Sequence, residues 1–141
     1  MRAYSKAYCG LRIFGDDLDP LSVTKKLKIP PDFESRKGEP RLKRSAKGKI
    51  LEYSPYTTNM WSFSSEKWVN SLNLITHLKW FLKELNSKKE VLLEYKINPN
   101  IKMDVFCFSR GHSKKPPTIP AQIKEQFSDL GIEIEIDYYS E

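Results

Sequence analysis

The chain has 141 residues, 39% hydrophobic and 30% charged, with a formal net charge of +6. That length fits a single domain, 1–141, with a core that needs neither disulfides nor structural metal. The apolar content excludes wholesale disorder, and no apolar run approaches the roughly 18 residues of a membrane span, so no membrane association is expected.

The opening "MRAYSKAYCGLRIFGDD" has early basic residues but no apolar region followed by a small-residue cleavage site, so no secretory signal is expected. Within it, "AYCGLRIFG" (7–15) alternates Cys9, Leu11 and Ile13 with Tyr8, Gly10 and Arg12, the period of a half-buried strand. "GDDLDP" follows. Asp19 before Pro20 is a helix start, because the carboxylate accepts from free backbone N–H groups and proline at the first helical position loses no needed donor. Asp16 and Asp17 then lie near the positive end of that helix. A calcium loop would need oxygen ligands at alternating positions further on, where "LSVTKKLK" offers lysines. The aspartates are expected to make a turn.

"DFESRK" (32–37) reads as a weak second strand. Residues 38–58 are expected to form a long, irregular, basic loop. Within 36–49, Arg36, Lys37, Arg41, Lys43, Arg44, Lys47 and Lys49 face one acid, Glu39, which equals the whole-chain excess of +6. "NMWSFSSEKW" (59–68) restores alternation, with Trp61 and Phe63 on one side and Ser62 and Ser64 on the other. In "SLNLITHLKWFLKELN" (71–86), Leu74, Leu78, Phe81 and Leu85 recur at helical spacing, and Trp80 points away from that stripe. The following "EVLLEYK" is expected to fold over Trp80 as a further helical segment.

"IKMDVFCFS" (101–109) is a strand, and "RGHSKKPPT" is a second basic loop. Pro120 opens a helix that Gly131 ends. "IEIEIDYY" (132–139) reads as a strand with isoleucines inward and carboxylates outward. The order predicts an α+β fold: a mostly antiparallel sheet with helices packed on one face, ferredoxin-like with an added βα arm.

No reaction site emerges. His77 and His112 have no partner at zinc-ligand spacing. The glycines form no phosphate-binding pattern, and Ser62, Ser64 and Ser65 have no nucleophile elbow around them. Glu133, Glu135 and Asp137 could be an acid/base set, but the outer face of an amphipathic strand predicts the same spacing. Cys9 and Cys107, the two cysteines, suit buried thiols in a reducing cytoplasm; the alternative is a disulfide between their strands. No catalytic residue, metal or cofactor is expected.

What remains are recognition surfaces. If the two basic loops converge, Arg36, Lys37, Arg41, Lys43, Arg44 and Arg110 form a patch for phosphate or for an acidic protein surface. Tyr53, Tyr56, Phe106 and Phe108 could add base stacking, though without an RNP-like motif. Trp61 and Trp80 are the aromatic candidates for a protein interface.

The phrases "LRIFGDDLDPLSVTKKL", "RKGEPR", "WSFSSE", "HLKWFLKEL" and "LGIEIEIDYY", in this order, resemble the uncharacterised bacterial family known as domain of unknown function 4279. The resemblance runs from about Tyr8 to Tyr139. It implies a small, stand-alone cytoplasmic bacterial protein with no catalytic activity attached to it. By analogy with other small bacterial α+β proteins, it suggests an immunity protein that occludes a toxin. The expectation is therefore a non-catalytic domain that binds a partner protein; the alternative is a nucleic-acid-binding accessory protein using the 36–49 loop.

Overall fold

The structure, a computed structural model, describes residues 3–141, with only the backbone described at Lys43 and Glu52. The central strand is β1 (Tyr4–Phe14), whose inward residues Cys9, Leu11 and Ile13 are fully buried. It leads through the aspartate turn into α1 (Pro20–Leu27). The Asp19 side chain accepts from the Leu21 N–H, and Lys28 ends the helix in the left-handed conformation at φ 57°.

β2 (Phe33–Ser35), β3 (Arg41–Arg44), β4 (Ile50–Tyr53) and β5 (Met60–Ser64) follow. Next come α2 (Leu74–Leu85), a short 3-10 turn at Asn86–Lys88, and α3 (Lys89–Lys96). β6 (Lys102–Gly111), α4 (Ala121–Asp129) and β7 (Glu133–Ser140) complete the chain.

The main sheet has the order β2-β5-β1-β6-β7, antiparallel except for the β6–β7 pair. Since β5 and β6 both run against β1 and flank it, they are parallel to each other with β1 between them. By the same logic β1 and β2 are parallel with β5 between. Two interlocked split βαβ units define the ferredoxin-like arrangement, and α4–β7 adds the expected extra arm at the β6 edge. The helices cover one face: α1 meets β5, α2 meets β1, α3 meets β6 and α4 meets β7.

The core lies between these layers. Leu74, Leu78, Phe81 and Leu85 of α2 are at most 1% exposed, each contributing about 2 kcal/mol by leaving water. Trp61 joins them, fully buried, and its indole N–H donates to Thr24 Oγ at 3.0 Å. Among the described residues, no helix is long and apolar enough to cross a membrane.

Three expectations need correction. Residues 38–58 are not an irregular loop: β3 and β4 pair antiparallel, from Arg41 opposite Tyr53 to Arg44 opposite Ile50, as a separate two-stranded sheet. Periodicity missed it because its aliphatic side chains do not collect on an inward face. Trp80 has its aromatic contacts on β5 and on its own helix, with none to 90–96 among the described residues. It stacks on Phe63 of β5 at 5.8 Å and lies edge-on to Phe81, whereas α3 packs on β6. The isoleucines of the last strand are not uniformly inward. Ile132 is buried, Ile134 half-buried and Ile136 38% exposed, because β7 is an edge strand that pairs only with β6.

At the exit of β1, Gly15 adopts φ 149° and presses against the Asn100 carbonyl at the foot of β6. A Cβ there would collide with backbone, which cannot swing aside. Gly15→Ala should therefore cost about 2–4 kcal/mol, read as a lower urea midpoint with an unchanged m-value.

Candidate interaction surfaces

The aspartate turn and the start of the basic segment satisfy each other. Arg36 lies 3.6 Å from both Asp19 and Glu34, and Lys37 lies 3.7 Å from Asp16. Asn59 stitches them together: its amide nitrogen donates to the Asp16 carbonyl at 3.2 Å, and its side-chain oxygen accepts from the Lys37 N–H at 2.8 Å. Asp17 accepts from Asn100 at 2.9 Å. Arg36 and Lys37 are therefore engaged at home. Among the described residues, no group of three or more His, Cys, Asp or Glu is placed to hold a metal ion.

Beyond Lys37 the β3–β4 hairpin leaves the sheet as an arm. The Ser45–Lys49 tip closes through Ser45 N–H to Lys49 O at 2.7 Å, with Gly48 at φ 78°, and Arg44 donates to the Gly48 carbonyl. At the base, the Arg41 guanidinium lies over the rings of Tyr53 and Tyr56 at 5.7 and 5.6 Å, and Tyr56 touches Phe33. Leu42 and Ile50 are 61% and 59% exposed, and Leu51 and Tyr53 are also exposed. The backbone of Lys43 sits opposite Leu51. Basic and exposed aliphatic residues thus lie side by side on an arm with little core of its own.

The two basic loops do not converge. The arm springs from the end of the sheet where Ser35, Met60 and Phe14 are in register. Arg110 pairs with Lys6 at the other end and is held by Glu141 at 3.0 Å. Of the two tryptophans chosen from the sequence, Trp61 is in the core and offers no surface, and Trp80 is half-buried. The exposed one is Trp68, at 63%.

The uncovered face of the sheet carries Tyr8, Phe108 and Tyr139 in a row, with ring centroids 5.0 and 5.5 Å apart. Beside them, Arg12 makes two 2.7 Å bonds to Asp104 and reaches Glu135 at 3.3 Å, with Phe106 under its guanidinium. The hydrogen bond to Asp104 is the main reason that the Arg12 pKa rises further. Asp104 is 5% exposed and both its oxygens are taken. A recess of about 320 Å³ borders Phe14, Pro99, Asp104, Glu133 and Glu135. Its one buried carboxylate is neutralised by a guanidinium, which suits clamping strands together better than proton transfer.

A serine–histidine pair also forms, unforeseen from sequence. The Ser71 carbonyl must accept from His77 Nε2 at 2.8 Å, so Nδ1 is the acceptor for the Ser65 hydroxyl at 2.6 Å. Ser65 Oγ in turn accepts from the Cys9 N–H at 3.0 Å. Both side chains are fully buried, so the pair ties β1, the end of β5 and α2 together with no room for a substrate.

Fold and surfaces together describe a small two-layer α+β domain. The chain belongs to the family described as Domain of unknown function (DUF4279), whose model matches residues 5–141. No curated protein and no solved structure matches it at a significant level.

Two outcomes follow. Asp104→Ala, which leaves Arg12 with only the more distant Glu135, should lower stability by about 2 kcal/mol in urea unfolding. That is below the full penalty for a buried pair, because Arg12 is partly solvated. Burial, then Glu94 and Asp19, push the Tyr95 hydroxyl up to about 12. Its unfolded value is about 10, so the folded state holds the proton longer, and stability is lost as pH rises between those values. The urea midpoint should fall over that window, and less steeply in Tyr95→Phe, since the Tyr95 hydroxyl has no protein partner to lose among the described residues.

Proposed function

We propose that this chain is a non-catalytic interaction domain that binds a partner protein through the β3–β4 arm. Leu42 and Ile50, which share one face of the hairpin, enter an apolar groove on the partner, and Arg41, Arg44, Lys47 and Lys49 meet an acidic rim. The observation that carries this reading is the exposure of Leu42 and Ile50, at 61% and 59%, on a hairpin that stands apart from the main sheet. A two-stranded hairpin is marginal alone in water, and its unpaired edges and aliphatic side chains gain cover by docking.

In the immunity-like form of this proposal, the chain acts in the bacterial cytoplasm and the partner is a toxin whose acid-lined cleft the arm blocks. Free thiols at Cys9 and Cys107 suit a reducing compartment. A second reading, nucleic-acid binding, draws support from Arg41 lying over Tyr53 and Tyr56, a cation beside two rings. The exposed aliphatics fit it less well, since phosphate offers them nothing.

Salt and one substitution separate the readings. The partner captured from the native host should bind at most about tenfold more weakly at about 300 than at about 50 mM salt, as the rim pairs are screened, where a run of phosphate contacts would lose about a thousandfold or more. Ile50→Asp, a surface change that spares folding by circular dichroism, should weaken it by at least about tenfold. A labelled single-stranded oligonucleotide tests the other reading by anisotropy: tight binding, steep salt dependence and loss in the Arg41→Ala, Lys43→Ala, Arg44→Ala triple variant would replace the first. Partner binding indifferent to Ile50→Asp would remove the arm from the interface.

A further inference from the structure

Cys9 and Cys107 face each other in the antiparallel register of β1 and β6, both fully buried, with their sulfurs 3.4 Å apart. The backbone shows what kind of pair this is. The Cys9 carbonyl accepts from the Ser65 N–H at 2.8 Å, and its own N–H donates to Ser65 Oγ at 3.0 Å. Both groups therefore turn toward β5. Across to β6, Cys9 occupies a non-hydrogen-bonded position, where antiparallel Cα atoms approach to about 4.5 Å and side chains are closest. That spacing lies at the short end of the disulfide range, about 4.4–6.8 Å. The sulfurs need to close only the last part of the gap.

We propose that Cys9 and Cys107 form an oxidisable dithiol, a modification site that a small-molecule disulfide converts into a covalent link between β1 and β6. One cysteine thiolate attacks a sulfur of the oxidant, giving a mixed disulfide and releasing one thiolate. The second cysteine thiolate attacks the protein sulfur of that mixed disulfide, forming the Cys9–Cys107 bond and releasing the other. The two cysteines lose two protons and two electrons; the oxidant disulfide is reduced to two thiols. The bond joins the two central strands, so it fixes the middle of the fold.

Access sets the rate. The hydrogen bond with Cys107 and burial push the Cys9 thiol up, and attack requires a thiolate. Oxidation therefore waits for β1 and β6 to part transiently, and the pair responds to sustained oxidising conditions, not brief ones. Because β1 is central, this opening belongs to the high-energy end of local unfolding.

Incubating the folded chain with oxidised glutathione tests this. The intact mass should fall by about 2 Da, the loss of two hydrogens. Peptide mapping should join the Cys9 and Cys107 peptides. Urea below the unfolding midpoint should speed the reaction, and the oxidised chain should keep its circular dichroism with a melting temperature that a reductant lowers again. Cys107→Ala should stop at a glutathione adduct on Cys9; should that variant not fold, the wild-type map decides alone. Overturning results are a stable glutathione adduct on the wild-type chain, a link between two chains, no oxidation even just below the midpoint, or an oxidised chain that has lost its fold.

Discussion

Everything in this molecule hangs on β1. It is the strand between β5 and β6, and its side chains have to serve two unlike environments at a period of two. Cys9, Leu11 and Ile13 go fully under the helices, and Tyr8 and Arg12 go to the open face. A slip of one residue would send Arg12 into the core and Leu11 into water. The pairing partners fix the register from both faces: Ser65 and His77 on the buried side, Asp104 on the open side. The split βαβ connections then require every other element to pass beside this strand.

The charges are arranged with the same economy. The aspartates at the exit of β1 cap α1 and hold the first residues of the basic segment, so its excess charge starts beyond Lys37. Arg110 is likewise held by Glu141. The arm itself carries Arg41, Lys43, Arg44, Lys47 and Lys49. There the positive charge sits beside the exposed aliphatic side chains of Leu42, Ile50 and Leu51.

Legibility in the sequence followed the range of the cause. The Asp19-Pro20 helix start, the α2 stripe and the Gly131 stop were readable because each is decided within a turn or two of chain. The ferredoxin-like order was readable because it follows from element types in sequence. The hairpin was not, since Leu42, Ile50 and Leu51 point outward and leave no inward face to detect. Ile136 misled because alternation cannot tell a central strand from an edge. The candidate site fared worse. Trp61 looked like an interface aromatic, and only its burial against Thr24 and Phe63 shows why it is not, while Trp80 keeps partial exposure beside Phe63 and Phe81. Arg12 and Asp104 are 92 residues apart, and no local pattern announces their bond.

The sheet's two borders differ in kind. β2 has three residues, too few to template a neighbour, and the edge strand β7 carries Glu133, Glu135 and Asp137 on its open face. Both devices discourage stacking into fibrils. The hairpin has the remaining bare borders, and two copies meeting there would crowd like charges together. Pairing edge to edge with a second copy is thus disfavoured at these strand margins by shortness or by like charge.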